Sequence, residues 1–467
     1  MTPIDLTALD ATAQAALVRS RTISACALIT ATLERIDGID PMVNAFRVVT
    51  GRDALADADR VDARSDAELA TLPLAGVPVA IKDDTDVAGQ STMWGTTIDR
   101  GICDADAEVV ARLRRAGAIV IGKTNVPELT LWPWTASAGW GVTRNPWNLD
   151  RTPGGSSGGS AVAVCTGMAA MALGSDGGGS VRYPAGLTGL VGLKPQRDRV
   201  PLGSEHASGW HGLLALGPLT RSVRDAALFL DVTATEAVST QFRDALDRPT
   251  GPLRIAVSTN PPPGTQVRLT DAHRHDIARV VALLTALGHE CVEIDIDYGL
   301  ASLWNATVRF LRGVRDDIAS MPHRDQLERR TRAVARLGRL VPARSLRRAL
   351  QHEQQIAESI NRVFDNADIV LTPLSEHPAP HIDACPTHGA IRSLRVANTS
   401  AWLIPWNATG QPALTVPTGT EHNNMPTAIH LAGRPHDEAT LLALAARLET
   451  AQPFPRWSRP SPTDLDR

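Results

Sequence analysis

The first pattern along the chain is helical. Residues 5 to 37 place apolar side chains three and four apart, and Thr22 to Ile36 reads as a second helix after a break at Arg21 and Thr22. The period then changes. LAGVPVAI at 74–81 and AIVIG at 118–122 are short apolar runs of strand character, and DAEVVARLRRAG just before the second has helical spacing. Strand and helix alternate in this way, which predicts an α/β layer architecture with a largely covered sheet. Further on, ADIVLTPLS (367–375) and PALTVPTG (412–419) read as strands, and DEATLLALAARLE (437–449) as a helix. Residues 235–365 are mostly of helical pattern, with an early strand at LRIAVS, and no internal repeat is visible.

Between Asn145 and Lys194 the pattern breaks into Gly, Ser and small residues: TPGGSSGGS, then AVAVCTGMAAMA, which reads as an apolar helix, then LGSDGGGSVRYPAG. Small residues let backbone approach closely and leave N–H groups free to point at a ligand. The helix between the two halves argues against a flexible linker. Chemistry is therefore expected here.

Composition narrows the function classes. With 467 residues, 43% hydrophobic and 21% charged, the chain has material for a large core, and its net charge of −3 gives no electrostatic footprint for nucleic acid or an anionic membrane. Nine arginines do crowd the stretch from Arg324 to Arg348, but interspersed Leu, Val and Ala make it read as the solvated face of a helix. Five cysteines, scattered without close spacing, argue against a disulfide framework and for a reducing compartment. No run of about 18 apolar residues and no signal-like start occurs, so the expected location is cytoplasmic.

Three motifs suggest other chemistries. GAIVIGKT (117–124) fits a phosphate-loop spacing, but Ala118 to Ile121 should be strand, whose N–H groups belong to a sheet. GGSSG (154–158) fits the nucleophile elbow of α/β-hydrolases, with Ser156 attacking; that turn follows an apolar strand, and NPWNLDRTPGG is not one. The late histidines such a mechanism would need, His422, His430 and His436, have no distinguishing context. His377, His381, Cys385 and His388 have the spacing of metal ligands on a helix, but Pro378, Pro380 and Pro386 disfavour that helix. No metal and no cofactor is expected.

Three separated segments combine better. GVPVAIKDD ends an apolar strand with Lys82, TPGGSSGGS offers Ser156 and Ser157, and GSDGGGSVR offers Ser180 behind three glycines. In this order and spacing they resemble the amidase signature family, and the likeness extends through IGKTNVPEL (121–129), VGLKP (191–195), GPLTRSVRDAALFLD (217–231), ATGQPALTVPTG (408–419) and LAGRPHDEATLL (431–442). The resemblance implies an α/β/α fold, a large twisted mixed sheet covered by helices on both faces. It also implies one domain over residues 1–467, with a catalytic core near 70–235, a variable helical region near 235–365 and C-terminal strands and helix at 366–450. The implied activity is hydrolysis of carboxylic amides through a serine acyl-enzyme. Lys82 is then the base, Ser156 the bridging serine and Ser180 the nucleophile. Ser157, Asp176 and Arg182 support the loop.

Residue chemistry agrees with those roles. A lysine of pKa about 10.4 is neutral in only about one molecule in a few thousand at pH 7, and a lowering of about three units by burial corresponds to about 4 kcal/mol. Neutral Lys82 draws the Ser180 proton through Ser156 and later returns it to the leaving amine. Backbone N–H groups of Gly177, Gly178, Gly179 and Ser180 are the expected oxyanion donors, each worth about 3 kcal/mol. Asp84 opposes this scheme if strand geometry continues past Lys82. Alternation then puts it on the side of Lys82, where a carboxylate holds the ammonium charged, and Asp83 on the opposite one, whereas a turn at this point lets both face away.

Thr130, Leu131, Trp132 and Trp134 follow NVPEL, where relatives line the acyl pocket; Tyr183 joins them, and Trp94, Trp140 and Trp210 are close in sequence to site segments. Aromatic walls favour flat or apolar groups, so a small-molecule hydrophobic acyl or aryl amide is expected, with esters or carbamates open to the same chemistry. The glutaminase component of glutamyl-tRNA(Gln) amidotransferase, which works with partner chains and ATP, carries Gln after the arginine of its GSIRQPA motif, whereas GSVRYPA has Tyr183 here. The sequence leaves a homodimer open.

Overall fold

A computed structural model of the chain describes residues 5–458 except 236–240, 249, 266, 376–378, 386–392, 394–399 and 422–423. Its strands in chain order are β1 (Phe46–Val49), β2 (Pro78–Lys82), β3 (Ile119–Thr124), β4 (Ala136–Ser137), β5 (Gly141–Val142), β6 (Met171–Asp176), β7 (Val191–Lys194), β8 (Ala215–Thr220), β9 (Arg254–Val257), β10 (Glu290–Glu293), β11 (Ile369–Pro373), β12 (Ala413–Thr420) and β13 (Pro426–Gly433). All but the β4–β5 hairpin join one sheet of 11 strands in the order β1-β3-β2-β6-β8-β7-β12-β13-β11-β9-β10. The sheet is mixed: β2 lies parallel to both β3 and β6, whereas β6 and β8 run antiparallel.

Period-two alternation distributes each strand between two cores. Val79, Ile81, Val120, Met171 and Leu173 face one apolar cluster with the helices Glu108–Arg115, Val223–Thr233 and Glu438–Ala451. Ala80, Ile119, Ile121 and Ala172 face the other, under the helices Ala25–Val43, Gly51–Asp62 and Gly158–Cys165. A sheet buried on both faces leaves its strand ends as the accessible edge, and Lys82 and Asp176 end adjacent parallel strands there.

Several elements differ from the sequence expectation. The second helix begins at Ala25 and continues past Pro41 to Val43. The run AVAVCTGMAAMA is not one helix. The helix stops at Cys165, Gly167 takes φ +76°, and Met171 already belongs to β6. A buried small-residue run has no polar face to reveal its period, so helix and strand look alike in it. The phosphate-loop match is strand, as expected, since Gly122, Lys123 and Thr124 all lie within β3. The arginine stretch forms the helices Arg329–Arg339 and Ala343–Gln351 with most of its arginines exposed, but Arg330 is fully buried and does not belong to a solvated face.

Candidate active site

Lys82 leaves the end of β2 with 0% exposure. Its Nζ lies 2.7 Å from Ser156 Oγ, 2.7 Å from Ser175 Oγ and 3.2 Å from the Ser175 carbonyl. Sequence reasoning misses Ser175, although its place in β6 beside the end of β2 is a signal that could have found it. Its hydroxyl donates to Asp84 Oδ2 at 2.5 Å, so it can only accept from Lys82. A neutral lysine has two N–H donors and one lone pair. With the donors taken up by the two oxygens of Ser175, the lone pair is left for the Ser156 hydroxyl.

Asp84 Oδ2 stands 3.4 Å from Lys82 Nζ, although β2 ends at Lys82 and the chain turns at Asp83 and Asp84. Asp83 turns to the opposite side, where Arg47 (2.7 Å) and Lys123 (3.1 Å) neutralise it. Burial lowers the Lys82 pKa below the ordinary lysine value, against an upward pull from Asp84. Burial also tends to raise Asp84, but Lys82, His206 and the Ser175 hydroxyl outweigh it and bring the carboxyl below its ordinary value. Asp84→Asn removes the upward pull on the lysine. The rising limb of the pH–rate profile is therefore expected to move to lower pH, and steady-state assays from about pH 5 to about pH 10 measure the shift.

The second segment descends from β6 into the glycine turn. Asp176 forms a fully buried two-point ion pair with Arg182, Nε to Oδ2 at 2.9 Å and Nη2 to Oδ1 at 2.9 Å. Burial raises a carboxyl, but Arg182 and Asn407 hold Asp176 well below the usual carboxylate range. Asn407 donates to the Asp176 carbonyl at 2.8 Å and accepts from Arg182 at 2.6 Å, and His430 lies 3.0 Å from Arg182 Nη1. His430 is thus part of this brace. Asp176 also accepts from the Gly179 N–H at 2.7 Å, so of the four expected oxyanion donors Gly179 is already engaged. The turn requires glycine at 177, where a Cβ would fall 2.6 Å from the Trp210 ring.

The third segment carries Ser156 and Ser157. The Gly155–Ser156 peptide is cis. Ser157 N donates to the Ser180 carbonyl at 3.2 Å, and Ser157 Oγ to that of Ser175 at 3.3 Å, so this serine fastens one serine segment to the other. A Cβ at Gly155 would lie 2.7 Å from Trp134 N and 2.8 Å from the Trp132 carbonyl, so the loop rests on the tryptophan backbone.

A cavity of about 200 Å³ opens over Gly155, Gly177, Gly178, Gly179 and Ser180. Thr130, Leu131, Trp132, Pro133 and Tyr183 line it from the expected segments, joined by Trp210, Leu213 and Ile404 and by Leu303, Ala306, Thr307 and Phe310 from the helix Gly299–Ser320. Among the described residues that line it there is no Asp, Glu, Lys or Arg. Trp134 is not on this wall: it lies behind Trp132, ring centroids 5.5 Å apart, with Arg330 against both rings. Trp94 lines a separate small cavity with Asp84 and His206, while Trp140 stacks on Arg47. The helix Gly299–Ser320 leaves no sign of its part in the cavity in the sequence, because its lining residues are ordinary for a core-facing helix.

The remaining candidates lie elsewhere. His381 and Cys385 sit in a surface turn and beneath it, while His377, His388 and His422 lie outside the described residues. Among the described residues no three His, Cys, Asp or Glu side chains converge as metal ligands, and no helix is long and apolar enough to cross a membrane.

A buried lysine in contact with serine hydroxyls, next to a glycine turn and a cavity, is equipment for moving a proton off a hydroxyl. The family profile described as Amidase matches residues 27–442. AmiB2 of Mycobacterium tuberculosis (strain ATCC 25618 / H37Rv) is 46% identical over 456 residues, 97% of this chain and 98% of that protein. The 6-aminohexanoate-cyclic-dimer hydrolase of Pseudomonas sp. (strain NK87) is 32% identical over 482 residues, 95% of each chain. A solved structure of 6-aminohexanoate cyclic dimer hydrolase superposes with a TM-score of 0.88 at 30% identity, covering 99% of this chain and all of that one. The chain belongs to the amidase signature family, and it is a hydrolase of carboxylic amide bonds.

Proposed function

We propose that Ser180 attacks the amide carbonyl while Lys82, acting through Ser156, takes the proton. The observation that carries this reading is the buried contact of Lys82 Nζ with Ser156 Oγ at 2.7 Å, beside the cavity that Ser180 lines. The Ser180 proton passes to Ser156 as the Ser156 proton passes to Lys82. The tetrahedral oxyanion is met by N–H groups of Gly177, Gly178 and Ser180, with Gly179 reserved for Asp176. Collapse breaks the carbon–nitrogen bond and the amine leaves with the proton held by Lys82. Water, deprotonated along the same path, then releases the acid. The continuity of one sheet from Phe46 to Gly433 supports treating the chain as a single catalytic domain, and five free cysteines support a cytoplasmic location.

The substrate we infer is a neutral, hydrophobic acyl or aryl amide. The described residues that line the cavity carry no charge, so they offer a carboxylate or ammonium on the acyl group no partner, and burial there desolvates it. Glutamine carries both charges on its acyl part, so it belongs in the test as the disfavoured substrate. A panel of aliphatic amides, anilides, aryl esters, carbamates and glutamine, with amine or ammonia release measured directly, should show the highest kcat/KM for an uncharged apolar acyl group. Preference for glutamine would reject the reading. Trp132→Ala is expected to reduce kcat/KM on bulky aromatic amides about tenfold more than on acetamide-sized ones. Equal losses across the series would mean that the ring serves the core alone.

A further inference from the structure

We infer that Arg330, which is absent from the cavity lining, sets which acyl groups the enzyme accepts by fixing the Trp132 wall from behind. The inference rests on the cavity being the acyl site, as proposed above. It starts where two distant segments meet. Glu128, in the turn that leads into Leu131–Trp134, accepts the backbone N–H of Glu328 at 2.8 and 3.1 Å, joining that turn to the start of the helix Arg329–Arg339. The Glu328 carboxylate in turn accepts from Ala138 N at 2.8 Å and from Arg330 Nε at 2.5 Å. Arg330 Nη2 donates to the Ala136 carbonyl at 2.9 Å. The guanidinium is thereby held at two edges, one by a side chain of its own segment and one by the backbone that follows the tryptophans.

Both indole rings lie close to it as well. The guanidinium carbon lies 5.2 Å from the Trp132 ring centroid and 5.8 Å from that of Trp134, and the two indoles stack at 19° between planes. A cation fixed by hydrogen bonds at two edges and lying against two rings defines their position far more closely than apolar contact alone, and a lysine cannot reproduce the fork. Trp132 then presents itself to the cavity, and the backbone of Trp132 and Trp134 supports Gly155. Arg330 is a positioning residue. It is not among the residues lining the cavity, and a substrate senses it only through where Trp132 stands.

A purely structural arginine would lower stability and affect all substrates alike. The distinguishing measurement is the ratio of kcat/KM for a bulky aromatic amide to that for acetamide, in wild type, Arg330→Met, Trp132→Ala and the double variant. Arg330→Met is expected to lower the ratio about tenfold, chiefly through KM for the bulky substrate, and Arg330→Lys to recover only part of it. Because both residues act at one wall, the double variant should be no worse than Trp132→Ala. Should Arg330→Met not fold, Arg330→Met combined with Glu328→Gln removes the orphaned carboxylate and supplies the same comparison. If Trp132→Ala moves the ratio and the arginine variants do not, or if the two effects add in full, the inference on Arg330 is wrong. If Trp132→Ala itself leaves the ratio unchanged, it is the reading of the cavity as acyl site that fails.

Discussion

A Ser180→Ala enzyme is expected to hydrolyse amides about 10⁵-fold more slowly than wild type while unfolding at nearly the same temperature. The large loss follows because lysine, bridging serine and oxyanion donors act only through the nucleophile, so deleting it idles all of them together. The small effect on stability follows from position. Ser180 is half-buried at the cavity, and its backbone carbonyl, which accepts from Ser157 N at 3.2 Å, survives the substitution. Single-turnover assays with a chromogenic anilide, alongside a thermal melt, measure both. An active Ser180→Ala enzyme would reopen Ser156 as the attacking group.

Removing the lysine is expected to have two separable consequences. Lys82→Met should lose about four orders of magnitude in kcat, since no other group of suitable pKa contacts Ser156 among the described residues. It should also lose stability, by about 3–5 kcal/mol, because Asp84 at 0% exposure is left charged without its partner. From sequence alone the lysine is expected to serve chemistry more than packing. The Lys82–Asp84 contact makes it serve both. Lys82→Met combined with Asp84→Asn separates the effects: the double variant is expected to regain most of the stability and none of the activity. Recovery of activity in a well-folded double variant would show that the base lies elsewhere.

How much of this is legible in the sequence depends on what kind of signal each residue leaves. Lys82 ends an apolar strand and Ser180 follows three glycines, and both positions stand out because their neighbours are so unlike them. The side of Asp84 is only half legible: strand alternation suggests it, but β2 ends at Lys82 and the chain turns at Asp83 and Asp84. Ser175 is open to the same reasoning, yet a lone serine in a small-residue strand carries no contrast. The apolar runs of β2, β3, β11 and β12 announce the sheet, while β8, with Gly217 and Pro218 in its middle, carries no such run and takes its place between β6 and β7. Arg330 is the hardest case. Nothing separates it from eight other arginines nearby except the tertiary packing that brings Ala136 and two indoles to it. Local pattern reports which face of a helix is wet, and a single buried cation on that helix depends on Ala136, 194 positions away in the chain.

The central claim is where the acyl group goes. Treating the enzyme with a serine-directed fluorophosphonate, and mapping the adduct by peptide mass spectrometry, asks this without reference to any particular substrate. One label per chain on Ser180 is predicted, formed faster as pH rises through the lysine ionisation and lost in Lys82→Met. A label on Ser156, or on Ser180 at a rate indifferent to both pH and Lys82, would contradict it.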